Sequence, residues 1–214
     1  MTSYDWLAAV YDTAVFTAFD TETTGLDPQT GRVVEIGAVQ FDMRGIIARY
    51  NVLINPQMPM PEDAQKVNGI TDEMLRDKPV FTQAEPDFSC FIQGSVLVAH
   101  NAPFDVHYIN AELKRLGLPL LPNKVVDTRI FTKELYPGLK SYALQDLAVQ
   151  FGIQALEAHR AEDDARVCME LFMCTLTQFL KKDPEFIKKV RSEFSAAEVL
   201  AVERVEKDYA QSLF

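Results

Sequence analysis

Three apolar segments follow one another near the start of the chain. They are AVFTAFD (14–20), RVVEIGAVQFD (32–42) and GIIARYNVLI (45–54), and all are rich in β-branched and aromatic residues. The breaks between them, GLDPQTG and MRG, are typical of turns. The pattern therefore predicts three consecutive strands, joined most simply as an antiparallel meander.

Helical patterns alternate with short apolar segments along the rest of the chain. The segments SVLVAH (95–100) and NKVVDT (123–128) predict two further strands. Pro103 suits the start of a helix and Gly117 suits its end. Helices are predicted over residues 82–93, 103–117, 128–136, 141–151 and 160–180. Three strands followed by alternating helices and strands favour an α/β fold.

The last part of the chain has a different pattern. Apolar positions across residues 183–213 recur approximately at helical spacing and predict a long amphipathic helix. We therefore expect one domain over residues 1–180 and a C-terminal helical extension over residues 181–214. This extension either packs on its own domain or on a second copy of the chain, or it docks to a different protein.

Composition and charge narrow the class of protein. The chain has 214 residues, of which 48% are hydrophobic and 24% are charged, as expected for a soluble globular domain. No apolar run approaches the roughly 20 residues of a membrane span. The N-terminal segment lacks the basic residues of a secretory signal, and three cysteines without metal-ligand spacing suggest reduced thiols. These features predict a cytoplasmic protein with no membrane partner.

A net charge of −10 argues against broad binding to a phosphate backbone, although it allows an enzyme that holds a few terminal nucleotides.

Carboxylates gather where the predicted elements end. Asp20 and Glu22, in AFDTETTGL, close the first predicted strand and point to the same face, because they are two residues apart. Asp105 lies in HNAPFD at a helix start, and Asp163 and Asp164 lie in HRAEDDA at another. Sites on α/β scaffolds are commonly built at such ends, so these segments are expected to converge. Oxygen ligands without cysteine predict Mg²⁺ or Mn²⁺, and two such ions about 4 Å apart would offset the repulsion between the carboxylates.

The three acidic segments also resemble a known family. FDTETTGL, HNAPFD and HRAEDDA are similar, in this order, to the three motifs of the DEDDh exonucleases, which include proofreading subunits of bacterial DNA polymerases. The resemblance covers about residues 14–180. It implies a ribonuclease-H-like fold, in which helices flank a central mixed five-stranded sheet whose first three strands are antiparallel. It also implies metal-dependent 3′→5′ exonuclease activity.

The resemblance assigns roles to individual residues. Asp20 would bridge two divalent ions, Mg²⁺ or Mn²⁺, and Glu22 and Asp164 would bind the ion on the nucleophile side. Asp105 would hold the second ion, partly through water. His159, five residues before Asp164, would be the general base.

Four other ionisable residues near these motifs are interpreted as structural. Asp163 is expected to be a charge in the first turn of a helix, because adjacent helical residues point about 100° apart. His100 and His107 compete with His159 for the role of base but are interpreted as structural. Glu35 is expected to form an ion pair or a hydrogen bond. The basic residues considered as phosphate contacts are Arg129, Lys133, Lys140 and Arg160.

The family also implies how the end of the substrate is held. Leu26 and Phe104 would lie against the terminal bases, and the main chain around Thr23 and Thr24 would lie near the 3′ hydroxyl. Asn101 would either bond the sugar or phosphate or merely begin the helix.

One position departs from the family pattern. Asn68 stands before GIT, where many relatives have a histidine, so contacts to the 3′ end are expected to differ.

The leading hypothesis is a 3′→5′ exonuclease that acts on the 3′ end of single-stranded DNA in proofreading or repair. The alternative within the same class is RNA trimming, as in ribonuclease T-like or oligoribonuclease-like relatives. A third hypothesis, an inactive nucleic-acid-binding or interaction module, is opposed by the intact acidic set.

Overall fold

The computed structural model describes residues 3–156, 158–181 and 184–193. The strands are β1 (Phe16–Thr23), β2 (Val33–Asp42), β3 (Gly45–Leu53), β4 (Val96–Ala99) and β5 (Val125–Asp127). The helices of this part of the chain are α1 (Leu7–Val10), α2 (Glu62–Asn68), α3 (Asp72–Leu75), α4 (Phe81–Ile92), α5 (Pro103–Arg115), α6 (Thr128–Leu135), α7 (Leu144–Phe151), α8 (Ala161–Leu180) and α9 (Pro184–Glu193). Every predicted strand is present, and a helix lies in each region where a helix was predicted.

The five strands form one mixed sheet in the order β3-β2-β1-β4-β5. β2 pairs antiparallel with both β1 and β3, whereas β4 runs parallel to β1 and β5 runs parallel to β4. The predicted antiparallel meander is therefore confirmed. The crossover connections through the helices put β1 at the centre of the sheet, between its antiparallel and parallel halves.

β1 extends beyond residue 20, where the apolar pattern predicts that the strand ends. The strand runs to Thr23, because its ladder with β2 continues through the pairs Thr21↔Ile36 and Glu22↔Glu35. A shift in register between Glu22 and Thr23 then interrupts the pairing. Both carboxylates of the first motif consequently lie within a rigid central strand.

Two apolar clusters cover the two faces of the sheet. Phe16 and Ala18 of β1 belong to the cluster on the α8 face, whereas Phe19 belongs to the cluster on the face of α4 and α5. Because side chains alternate along a strand, Asp20 and Glu22 share the α8 face and Thr21 points toward α5. The fold therefore determines which helix can meet which residue of the first motif.

The start of the C-terminal segment packs against the N-terminal part of the chain. Val190 of α9 is buried in the same apolar cluster as α1, and Arg191 donates hydrogen bonds to the Ala8 carbonyl and to Asp12 at 3.0 and 2.7 Å. The remainder of the helix predicted over residues 183–213 lies outside the described residues. The boundary at residue 180 stays a prediction.

In the described part of the chain, none of the helices combines the length and the apolar character that crossing a membrane requires.

Candidate active site

Three carboxylates converge where α8 begins against the end of β1. Asp20, Glu22 and Asp164 each offer an oxygen, and these oxygens lie within 4.8 Å of one another. The two strand residues face α8, and the first turn of that helix supplies Asp164. The group borders a cleft of about 410 Å³, which His159 and Asp105 also line. The structure thus brings all five predicted catalytic residues to one cleft.

Asp105 approaches β1 from α5, at the residue between Asp20 and Glu22. Its Oδ1 accepts hydrogen bonds from the Thr21 backbone N–H at 2.9 Å and from the Thr21 hydroxyl at 2.8 Å. Asp105 is 2% exposed and stands in the first turn of α5, which covers the face toward which Thr21 points. It therefore lines the cleft without joining the tight group of three.

Burial and mutual repulsion disfavour ionisation of these carboxylates. Burial, followed by the charges of Asp105, Glu22 and Asp164, raises the pKa of Asp20 well above its usual range. Burial also raises the pKa of Glu22 to about 8, that of Asp105 to about 7, and that of Asp164 above its ordinary value. Crowded carboxylates with an oxygen-only donor set fit a hard divalent cation, which would favour their ionised forms.

The metal-free protein is expected to lose thermal stability as the pH rises. The folded state keeps protons on Glu22 and Asp105 that the unfolded chain releases at ordinary pKa values of 4.5 and 3.8. The resulting stabilisation is complete below pH about 4 and is lost as the pH rises through about 7 and 8. Melting in EDTA between pH 5 and 9 should show a decrease of at least about 5 °C. Glu22→Gln should weaken the decrease, because an amide does not titrate. Melting temperatures that are equally independent of pH in both proteins would contradict this account.

His159 and Asp164 are tied together at the start of α8. The backbone N–H of His159 donates to Asp164 Oδ2 at 2.9 Å, and His159 has a φ of 64°, in the left-handed region. The side-chain amide of Gln145, on α7, donates to Asp164 Oδ1 at 2.7 Å. Both oxygens of Asp164 are thus oriented by hydrogen bonds. The contact from Gln145 was not predicted, because nothing in the sequence near this glutamine resembles a motif.

The residues interpreted as structural have the expected surroundings. The ring nitrogens of His100 lie 2.9 Å from the Thr128 hydroxyl and 2.9 Å from the Tyr142 carbonyl, and burial lowers the pKa of His100. Asp163 pairs with Arg166 at 2.7 Å and does not line the cleft. His100 also lines the cleft, but both of its ring nitrogens already have protein partners, whereas Asp163 lies outside the cleft.

The ion pair expected of Glu35 is confirmed. Its partner is Arg160, at 2.9 Å, and the Glu35 side chain is fully buried. The guanidinium of Arg160, considered above as a phosphate contact, is therefore directed toward the sheet.

Part of the cleft wall is apolar. Leu26 is 87% exposed there, and Phe104, half-buried, packs its ring 5.0 Å from that of Tyr108. Ala64 and Val67 of α2 line the same cleft, and Val67 is 60% exposed. These two were not predicted, because a helix of seven residues with no motif gives no indication of where it packs. Exposed apolar side chains that line a cleft suit a flat aromatic ligand such as a nucleobase.

The polar residues predicted to bind substrate divide into two groups. Thr23, Asn68 and Asn101 line the cleft, whereas Thr24 is not among its lining residues. The Thr24 hydroxyl instead accepts a hydrogen bond from the Arg32 backbone N–H at 2.9 Å and closes the turn after β1.

Asn68 and Asn101 both have structural contacts in addition. The Asn68 amide lies 3.4 Å from the Thr23 carbonyl, and its Oδ1 accepts from the Ile70 backbone N–H at 3.0 Å. Asn101 has a φ of 64° and donates its backbone N–H to Asp127 at 3.2 Å, so it forms the turn before α5. Asn101 thus begins the helix as one alternative predicted, and it also borders the cleft as the other requires.

Comparison with known proteins identifies the family. The family model described as exonuclease (RNase T) matches residues 17–172. The chain belongs to this exonuclease family. It is 48% identical over 213 residues to DNA polymerase III subunit epsilon of Treponema pallidum (strain Nichols), a match that covers 99% of both chains. It is 40% identical over 162 residues to subunit epsilon of Rickettsia felis, covering 72% of this chain and 70% of the other.

Other relatives of this exonuclease are much longer. The chain is 37% identical over 184 residues to the PolC-type DNA polymerase III of Caldanaerobacter subterraneus subsp. tengcongensis. That match covers 86% of this chain but only 13% of the polymerase. The exonuclease fold therefore occurs in these relatives both as a separate subunit and as a small part of a larger protein.

Solved structures give the same fold. Exonuclease X in complex with 5′ overhanging duplex DNA aligns with a TM-score of 0.64 and 26% identity, covering 82% of this chain and 99% of that one. Exonuclease I aligns with a TM-score of 0.70 over 88% of this chain and 46% of its own, and at 19% identity it bears on the fold alone. The predicted ribonuclease-H-like fold is confirmed, and the enzyme class is that of the 3′→5′ exonucleases.

Proposed function

We propose that this exonuclease hydrolyses single-stranded DNA from the 3′ end and releases nucleoside monophosphates in proofreading or repair. The observation that carries the proposal is the convergence of Asp20, Glu22 and Asp164 within 4.8 Å, in a cleft that Leu26 and Phe104 also line. DNA is favoured over RNA because the epsilon relatives are named as subunits of a DNA polymerase and exonuclease X was solved with DNA.

The carboxylates supply the ligands for two divalent ions, Mg²⁺ or Mn²⁺. Asp20 would contribute to both ions, while Glu22 and Asp164 would hold one ion and Asp105 the other. Divalent ions at such sites activate water and offset the charge that develops on the phosphoryl and leaving oxygens. The separation of Asp105 from the group of three supports a division of the ligands between two positions.

His159 is the proposed general base. His159 lines the cleft beside Asp164, to which its backbone N–H is bonded at 2.9 Å. A neutral imidazole held there accepts a proton from the attacking water, a contribution of about 10²–10⁴ in rate. His100 is not proposed as the base, because both of its ring nitrogens already have protein partners.

The apolar wall selects the end of the substrate strand. Leu26 and Phe104 would wedge and stack against the terminal bases, with Val67 beside them. Such contacts tolerate any base and contribute about 1–3 kcal/mol each. Main-chain groups near Thr23 and Thr24 would meet the 3′ hydroxyl, and Asn68 and Asn101 would bond the sugar or phosphate.

We also propose that the enzyme works together with a DNA polymerase, as the names of its epsilon relatives suggest. The contacts of α9 with Ala8 and Asp12 support packing of residues 184–193 on the chain's own domain. A role for residues 194–214 in binding a polymerase or a second copy stays a prediction.

A gel assay on labelled oligonucleotides tests the direction, the metal dependence and the substrate. With 5′-labelled single-stranded DNA and Mg²⁺ or Mn²⁺ we expect stepwise shortening, whereas 3′-labelled DNA should release the labelled mononucleotide at once. EDTA should stop both reactions. Digestion from the 5′ end, or activity in EDTA, would overturn the proposal. Faster cleavage of RNA of the same sequence would favour RNA trimming instead.

A further inference from the structure

A buried ion pair anchors the residues that follow His159. Glu35 of β2 is fully buried, and its two oxygens accept from Arg160 Nη2 at 2.9 Å and from Arg160 Nε at 3.2 Å. The backbone N–H of Ala161 donates to the same carboxylate at 3.3 Å. One carboxylate of the sheet therefore holds both residues directly after the proposed base.

Two more features fix the same turn. His159 has a φ of 64°, a conformation that costs energy for a residue other than glycine and persists only where the surroundings impose it. Gly37 of β2 has no side chain, and this allows the start of α8 to approach β2 closely. A Cβ on Gly37 would overlap the Ala161 carbonyl carbon. The start of α8 thus rests directly on the backbone of β2, next to the carboxylate that holds Arg160.

We propose that the Glu35–Arg160 ion pair positions His159 and affects the reaction mainly through that histidine. The pair keeps the His159 backbone in its left-handed conformation and so directs the imidazole into the cleft. This inference rests on the proposed function, in which His159 is the general base. Displacement of a catalytic group by about 1 Å can cost about 100-fold in rate, so the loss should appear in kcat.

Glu35→Gln tests the proposal with little change in shape. At saturating Mg²⁺ we expect kcat on single-stranded DNA to decrease about 10- to 100-fold, with KM within about 2-fold of the parent. Glu162→Gln is the matched control, because it removes the same charge from the first turn of α8, where Glu162 forms an exposed pair with Arg49 at 3.6 Å. The control should keep the parent kcat.

Glu35→Gln in a His159→Ala background separates a positioning effect on His159 from a general structural effect. With no imidazole left to position, Glu35→Gln should lower the residual rate less than about 2-fold. A further decrease as large as that in the parent background would overturn the proposal, and so would a parent-like kcat for Glu35→Gln alone. If His159→Ala itself retains the full rate, the general-base assignment fails, which is a different result.

Arg160 gives a second test that does not change the buried carboxylate. Arg160→Met should reduce kcat as Glu35→Gln does, and Arg160→Lys should restore part of the loss, because lysine keeps the charge without the two-point contact. Assays are run well below each variant's melting temperature, since removing one partner of a buried pair destabilises the fold. Equal activity of the methionine and parent proteins would contradict the inference even if Glu35→Gln does not fold.

Discussion

Replacing Asp20 with asparagine is expected to abolish tight binding of divalent ions and to lower DNA hydrolysis by at least about 10⁴-fold. Asp20 lies in the central strand, within 4.8 Å of Glu22 and Asp164 by their oxygens, and the charge of Asp105 also acts on it. An amide keeps the shape but removes the negative charge that would hold both ions. Titration calorimetry with Mn²⁺ and single-turnover cleavage measure the two losses.

The melting temperature of metal-free Asp20→Asn shows whether a loss of activity comes from lost metal binding or from a failure to fold. Removal of one crowded carboxylate relieves repulsion, so the variant should melt above the parent in EDTA at pH 8. Asp163→Asn is the control, because Asp163 adjoins Asp164 in sequence but pairs with Arg166 outside the cleft. It should bind Mn²⁺ and cleave DNA as the parent does. Parent-like Mn²⁺ binding by Asp20→Asn would show that Asp20 is not a bridging ligand.

His159→Ala is expected to separate the two functions of the site. Turnover should decrease by about 10²–10⁴-fold, because the attacking water loses its proton acceptor. Metal binding should stay within about 2-fold, since the hydrogen bond to Asp164 comes from the His159 backbone N–H, which alanine retains. Single-turnover cleavage and calorimetry on the same preparation give both values.

A substitution at another histidine, His107, provides the control for this prediction. His107→Ala is the matched control, since His107 lies on α5 and does not line the cleft. It should keep the parent rate. Full turnover by His159→Ala, or a large loss in His107→Ala, would remove His159 from the mechanism.

The sequence predicts the strands well but not where the central strand ends. AVFTAFD is apolar up to Phe19, so its pattern gives no reason to extend the strand to Thr23. Pairing of polar residues with β2, including Glu22 with Glu35, decides the boundary, and such pairing depends on tertiary context. The motif residues themselves were found because three segments in order resemble one family.

The arrangement around those residues was not predictable from the same segments. The bond between Asp105 and Thr21 depends on which face of β1 α5 covers, and no residue within either motif specifies that face. Ala64 and Val67 belong to a helix that lines the cleft, and Gln145 belongs to a helix that meets Asp164; the local sequence indicates neither contact. Their types are ordinary for helix surfaces, so only the packed structure assigns them a place.

The position of α8 against β1 has a consequence for synthesis of the protein. Asp20, Glu22 and Asp105 leave the ribosome well before His159 and Asp164, because the last two stand at the start of a late helix. A nascent chain that ends before residue 159 lacks one proposed metal ligand, Asp164, and the proposed base, His159. We therefore expect no nuclease activity until α8 has been translated and has packed across β1 and β2. On this proposal, the order of elements along the chain prevents the partly synthesised enzyme from cutting nucleic acid.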